Sequence, residues 1–220
     1  VSELYLPDQP QALVIAGAGG LGRELAGLVE ALHADLGRAV FDLRGFLAPS
    51  GQGTLVGGWP VLGDEHWAMA HLSREVRFVV GVGAPQLRQQ IAQALTTAGF
   101  QAATLVHPAA RLGLRHQLGA GVVVAAGSTL TVDTVVEPHA LINLHCTLGH
   151  DVQVGAYATL APGVHLSGAA VVHPGVEIGT GAVVLPGCHL GAWSRLGAGA
   201  VLTRDLPPHA TWVGIPARPR

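Results

Sequence analysis

The chain has 220 residues, 49% hydrophobic and only 12% charged, with a formal net charge of −2 at pH 7, against about 25% charged residues in ordinary soluble domains. No apolar run reaches the ~18 residues of a membrane span, since Gly, Pro, Thr or His interrupts each one, and Arg scattered along a near-neutral chain leaves no footprint for nucleic acid. All 12 basic residues are Arg, which excludes a Schiff-base lysine, a pyridoxal-phosphate enzyme and a Walker A loop. Two cysteines make neither a disulfide framework nor a zinc finger, and Val1 opens no basic-apolar leader, so a reducing, cytoplasmic setting is expected.

Residues 1–106 alternate strand-like and helix-like segments and are expected to form an α/β, Rossmann-like domain. An apolar run at 13–16 leads into Gly17, Gly19 and Gly22, a G-x-G-x-x-G turn with Gly20 inside it. Residues 23–33 read as a helix with Leu25, Leu28, Val29 and Leu32 on one face. Strands are expected at 45–47 and 76–82, then a helix at 86–96 and a strand at 103–106. The glycine turn can hold a phosphate on backbone N–H groups at a helix start, with Gly81 and Gly83 as the other wall. Asp42 lies 20 residues past Gly22, the spacing of an NAD ribose-binding acid, but ~100 residues provide too few strands for a dinucleotide fold.

From residue 107 to 220 a different order takes over. Stepping by six from Leu112 to Leu202 meets sixteen consecutive Leu, Ile or Val residues. The residue two before each is mostly small, and two residues apart on a strand means the same face. A large aliphatic and a small partner therefore point inward together, and Gly after the aliphatic (Gly113, Gly119, Gly149, Gly155, Gly179, Gly191, Gly197) is expected to allow each sharp corner. Such hexads build an all-β parallel β-helix of about 18 residues per turn. Cys146 and Cys188 occupy small inward positions on different faces and are expected to be reduced core residues.

The unbroken hexads, the α/β domain before them and the closing phrase 212–218, Trp-Val-Gly-Ile-Pro-Ala-Arg, resemble bacterial sugar acetyltransferases of the sialic-acid O-acetyltransferase type, which include the nucleotide-amino-sugar N-acetyltransferases. The resemblance covers the whole chain. It implies a left-handed β-helix, a homotrimer with active sites between subunits, acetyl-CoA as co-substrate, no metal, and a nucleotide sugar on the Gly17–Gly22 turn. The family's base is a His followed by an acid, seven residues after an Asn and five before a Gly. Asn143, His150, Asp151 and Gly155 match it. The resemblance also carries over Gly168 as the oxyanion donor, Thr180, Ala198 and Pro216 along the coenzyme, and Arg218 and Arg220 as cations for its phosphates. Two departures stand out. Thr159 replaces a second His that meets cofactor or substrate, and Ala48-Pro49 replaces a pair of acids after the second strand.

A His with a neighbouring carboxylate suits acyl transfer, because its near-neutral pKa lets it take a proton as the nucleophile attacks a thioester. N-acetylation of a nucleotide-linked amino sugar is therefore expected, with O-acetylation of sialic acid or another sugar as the alternative. A noncatalytic trimeric sugar-binding scaffold is a third reading. A zinc carbonic anhydrase on the same solenoid would use His145 and His150, but Ala109 stands at its third ligand position, and no two histidines within the repeats are 18 or 36 apart.

Overall fold

The structure, a computed structural model, describes residue 5 and residues 9–220. It divides into two compact units: the chain up to Gly83 with Leu87–Pro108, and Ala84–Gln86 with Ala109–Arg220.

The first unit is built on strand β1 (Gln11–Ala16), helix α1 (Gly20–Leu36), β2 (Phe41–Leu47), β3 (Leu55–Val56), β4 (Trp59–Gly63), α2 (Glu65–His71), β5 (Arg77–Val80), α3 (Pro85–Thr97) and β6 (Gln101–Ala102). The sheet order is β3-β4-β2-β1-β5-β6, parallel except for the β3–β4 hairpin. Leu13, Val14, Ile15 and Ala16 are all buried, as a central parallel strand covered on both faces demands. In α1 the residues Gly22, Leu25, Ala26, Leu28, Val29 and Leu32 are buried, and Gly37 closes the helix in the left-handed conformation at φ 63°. The chain runs outward from β1 to β2 and β4, then returns to the other side of β1 as β5. That reversal makes the carboxyl ends of β1 and β5 a topological switch point, where open α/β sheets bind ligands.

The elements missing from the sequence reading are β3, β4 and α2. Gly57 and Gly58, at φ 58° and 94°, supply the two positive dihedrals of a tight hairpin turn. Asp64 then starts α2 by accepting from Trp67 N at 2.8 Å. The expected last strand is two short pieces, Gln101–Ala102 and Leu105–Val106.

The second unit is a three-sided solenoid. Two-residue strands end on each aliphatic of the hexad series and, up to Val183–Val184, pair in parallel with the strand 18 residues on, as Leu141 with Thr159 and Thr159 with Glu177. Side one carries the strands ending at 112, 130, 148, 166, 184 and 202, side two those ending at 118, 136, 154, 172 and 190, and side three those ending at 124, 142, 160, 178 and 196. From Val124 onward every inward aliphatic is no more than 2% exposed. Thr211–Val213 extends side three in parallel and Arg218–Pro219 folds back on it antiparallel.

The corners correct the expected glycine role. The residue three after the aliphatic is left-handed at every corner from Arg115 to Gly199, including Asp133, His139, His145, Asp151, Tyr157, Ala169 and Trp193 at φ 54–61°. Each non-glycine residue there costs about 1 kcal/mol. The glycines directly after the aliphatic are not in that region. A Cβ on Gly119, Gly155 or Gly179 would lie 2.5 Å from a backbone nitrogen of the next coil, so these glycines serve the close approach of coil to coil.

Candidate active site

His150 and Asp151 occupy the corner between sides one and two, two and three residues after Leu148. Strand 147–148 ends there and the left-handed Asp151, at φ 61°, turns the chain. His150 Nδ1 stands 2.8 Å from Asp151 Oδ2. An ionised carboxylate can only accept, so Nδ1 carries a proton, and in the neutral ring Nε2 is then the nitrogen with the lone pair. Both side chains face solvent, at 65% and 60% exposure. One coil on, a Cβ on Gly168 would run into Nε2 of His150, so the ring and its free nitrogen lie against the bare α-carbon of Gly168.

Other histidines show why this one stands apart. His139 and His145 occupy the left-handed third corner position and lean over Gly121 and Gly127 of the preceding coil. His139 is buried and stacks on Tyr157, with ring centroids 5.4 Å apart. His165 Nδ1 meets Thr147 Oγ1 at 2.8 Å. His150 alone combines the second corner position, a carboxylate partner and solvent access. Next to it, Arg115 holds Asp133 with two contacts of 2.5 and 2.7 Å, and this guanidinium lowers the Asp133 carboxyl below its ordinary range.

The remaining expected residues do not all gather at His150 within one chain. Asn143 sits at the corner between sides three and one, its Oδ1 accepting from Leu144 N and its carbonyl from Ser128 Oγ. Thr159 lies in a strand of side three at 8% exposure. Thr180 and Ala198 occupy the corner between sides three and one, whereas Gly168 lies across side one from them. Near Ala198 a groove of about 520 Å³ is lined by Gly179, Glu177, Arg195, Val213 and Arg220. Arg195 was not singled out from sequence, although its position one before an inward aliphatic places it outward on side three. It pairs with Glu177 at 3.1 Å. Arg218 does not line the groove and donates to the Ala217 carbonyl at 2.8 Å; Pro216 is exposed in the preceding turn.

In the first unit the glycines fall into two groups. A Cβ on Gly22 would overlap the Gly17 carbonyl oxygen, and one on Gly81 would lie 2.7 Å from the Gly22 α-carbon. One on Gly17, itself at φ 118°, would lie 2.8 Å from the Gly81 carbonyl oxygen. Those three seat the β1–α1 turn on the loop after β5. Gly19, Gly20 and Gly83 have nothing within 4 Å of an added Cβ, so open space faces them. Asp42 is the second residue of β2 and pairs with Arg44 at 2.6 Å; a ribose-binding acid belongs at the strand's carboxyl end, where Ala48 stands.

Cys146 and Cys188 are both free and buried, and burial pushes both thiols up. Among the described residues no three His, Cys, Asp or Glu side chains group as a metal site, and no helix is long and apolar enough to cross a membrane. His145 and His150 occupy different corners, which separates the pair a zinc site would need.

Residues 12–95 match the PglD N-terminal domain, and residues 169–204 match the bacterial transferase hexapeptide of six repeats. The acetyltransferase domain of PglB from Neisseria gonorrhoeae FA1090, solved alone and with acetyl coenzyme A, is 32% identical with a TM-score of 0.89, and the alignment covers 96% of this chain and 100% of that one. This chain belongs to the hexapeptide-repeat sugar acetyltransferases. Its solenoid is the left-handed parallel β-helix of that family. PerB from Caulobacter crescentus, in complex with CoA and GDP-perosamine, is 31% identical over 95% of this chain and 97% of that one, with a TM-score of 0.86. GDP-perosamine N-acetyltransferase from Caulobacter crescentus, 31% identical, has been solved with one histidine replaced by Asn or Ala, in complex with CoA and GDP-perosamine. GDP-perosamine N-acetyltransferase from Escherichia coli O157:H7 is 28% identical over 152 residues, 68% of this chain. The chain spans 66% of that protein's length, just under two thirds.

Proposed function

We propose that this chain transfers the acetyl group of acetyl-CoA to the amine of a nucleotide-linked amino sugar, with His150 as general base. The observation that carries the proposal is the His150 Nδ1 contact with Asp151 Oδ2 at 2.8 Å, which makes Nε2, lying against Gly168, the basic nitrogen of the neutral ring. As the amine attacks the thioester carbonyl, Nε2 takes its proton and Asp151 steadies the imidazolium. The Gly168 N–H, which the coil's hydrogen-bond ladder leaves unused, is assigned as donor to the developing oxyanion, the role the family resemblance implies. When the tetrahedral adduct collapses, the amide forms, the C–S bond breaks and His150 returns the proton to the departing thiolate. Acetyl-CoA is consumed as a substrate, and no metal enters the scheme.

Gly19, Gly20 and Gly83 face open space at the switch point of the first sheet, which suits a nucleotide diphosphate held on backbone N–H groups. Arg195 and Arg220 beside Ala198 suit the phosphates of the coenzyme. In this scheme residues 1–106 recognise the nucleotide and residues 107–220 do the chemistry. Gly168 and the Thr180–Ala198 column lie at different corners of one solenoid, so a second copy has to bring the complementary column to His150. A homotrimer meets that need, and the exposed Leu114, Leu144 and Leu185 favour burial against a neighbour. The two free thiols fit a reducing, cytoplasmic compartment.

The test is product analysis. Wild-type protein is incubated with acetyl-CoA and a panel of UDP-, GDP- and dTDP-linked amino sugars, alongside sialic acid and matching hydroxy sugars. An amide product on a nucleotide-linked amine is the expected result. An ester product alone would convert the assignment to O-acetylation, and no turnover on any member would favour a binding scaffold.

A further inference from the structure

We propose that Arg115 is a positioning residue for the catalytic pair: it takes up the Asp133 carboxylate, one coil before Asp151, so that His150 answers to a single carboxylate. The role rests on the reading of His150 as general base.

Arg115, Asp133, Asp151 and Ala169 are the third residues of one corner on four successive coils, all left-handed at φ 54–61°. Backbone bonds keep this column in register: Asp133 N donates to Leu114 O at 3.1 Å, Asp151 N to Val132 O at 3.1 Å and Ala169 N to His150 O at 2.8 Å. Paired strands lie about 4.8 Å apart, so the side chains of Asp133 and Asp151 start from neighbouring places on one edge of the solenoid. Asp151 turns to His150. Asp133 turns to the preceding coil instead, its two oxygens on Nε and Nη2 of Arg115 at 2.5 and 2.7 Å. A planar guanidinium fork grips a carboxylate in this way, where an ammonium would meet it as a point charge.

The charges around His150 are few. Residues 129–136, 147–154 and 165–172 form this corner on its own coil and on the coils either side, and Asp133, His150, Asp151 and His165 are the only titratable or charged side chains among them. His165 has Nδ1 at Thr147 Oγ1. One coil before Asp133 stand Arg111, Arg115 and His116, the last with Nδ1 at the Gly113 carbonyl. Asp133 is therefore the one carboxylate besides Asp151 on the coils that meet at His150. Its hydrogen bonds to Arg115 hold it below the ordinary carboxylate range, so it is ionised at neutral pH. Arg115 in turn is pushed up, first by its hydrogen bonds to Asp133, then by the charge of Asp133 and further by that of Asp151. With Arg115 in place the Asp133 charge is offset. Without it a second carboxylate favours the imidazolium, and a ring that already holds its proton cannot accept one from the amine.

The test compares wild type, Arg115→Gln, Asp133→Asn and the double variant as full chains. One readout is the pH dependence of kcat, with acetyl-CoA and the preferred amino-sugar nucleotide both saturating. The other is the NMR titration of the His150 ring protons, assigned by their loss in His150→Ala and independent of turnover. In Arg115→Gln both should move up by about 0.4 pH unit at low salt, the effect of one charge ~8 Å away through water. kcat at pH 7 then falls by up to about twofold and recovers at pH 9. Asp133→Asn, which leaves the Arg115 charge uncompensated, should move both readouts down by a similar amount. The double variant, with two neutral amides, should return to wild type, and ~1 M salt should erase the shifts. A salt bridge that only steadies the corner would lower kcat in both single variants at every pH, with no shift. That outcome, or two shifts of the same sign, would overturn the inference. A wild-type chain that acetylates no amino-sugar nucleotide would remove the base itself and the role of Arg115 with it, whatever the ring titration shows.

Discussion

The two units share one use of glycine, and the first unit adds another. In the solenoid, Gly119, Gly155 and Gly179 are glycine because the next coil's backbone occupies the place of a side chain. In the first unit Gly17, Gly22 and Gly81 obey that same rule, whereas at Gly19, Gly20 and Gly83 an added Cβ would meet open space. Glycine that packing requires says little about function; at the carboxyl ends of β1 and β5, glycine that packing does not require leaves room for something else to approach. The solenoid applies the same logic to histidine. His139 and His145 cover glycines of the preceding coil from a position that turns the chain, while His150 covers Gly168 from the other side with a carboxylate at its back.

The largest expected effect breaks the repeat. Leu160→Asp or Ile142→Asp places a carboxylate where the native residue has no exposure at all, at a cost of about 4 kcal/mol or more, and each coil is supported only by its neighbours. Thermal melting should fall by roughly 10 °C or lose cooperativity. Unchanged melting would mean that the inward phase is misassigned.

Next comes the contrast among glycines. Gly22→Ala should cost about 1–3 kcal/mol, because the Gly17 carbonyl must move. Gly19→Ala, at φ −79°, is compatible with alanine and should leave melting unchanged or slightly raised. Nucleotide affinity should nonetheless drop in the Gly19 variant. Equal melting losses in both would erase the distinction between packed and open glycines.

A smaller effect separates the histidines. His139→Ala should lower stability by about 1–2 kcal/mol through lost stacking and packing while leaving kcat within about threefold. Asp151→Asn should do the reverse, lowering kcat by about tenfold with little change in melting, because the amide cannot hold the imidazolium as a carboxylate does. The smallest effect concerns the thiols. Burial raises both cysteines, so alkylation of the folded protein at pH 8 should be many times slower than in denaturant, and rapid labelling of Cys146 would contradict its inward position.

The two units were not equally legible. In the solenoid a residue's environment follows from its place in the hexad, so the inward series from Leu112 to Leu202 was readable without coordinates, whereas the His150–Asp151 pair was singled out by its likeness to the family's motif. The left-handed third corner position was not readable, since eight of the fifteen residues there from Arg115 to Gly199 are not glycine and the bonds that hold them come from a coil 18 residues away. Asn143 followed the family spacing to His150 along the chain, yet strand 147–148 carries the two to different corners. In the first unit α1 was legible from Leu25, Leu28, Val29 and Leu32. The β3–β4 hairpin was signalled only by Gly57-Gly58, and the two-residue strand β3 has no period to detect. The hexad places Arg115, Asp133 and Asp151 in one column at steps of 18 residues, but an exposed arginine reads as a solvated residue until its two contacts are seen.

The measurement that bears most directly on the account is the kinetics of His150→Ala on the preferred amino-sugar nucleotide, at fixed pH and with acetyl-CoA varied. General-base catalysis contributes about 10²–10⁴ in rate, so kcat should fall by that factor. The KM for acetyl-CoA should hold within a few fold. A His150→Ala protein whose kcat stays within a few fold of wild type would contradict the account and move the base to another group, with His145 and His165 the next to replace.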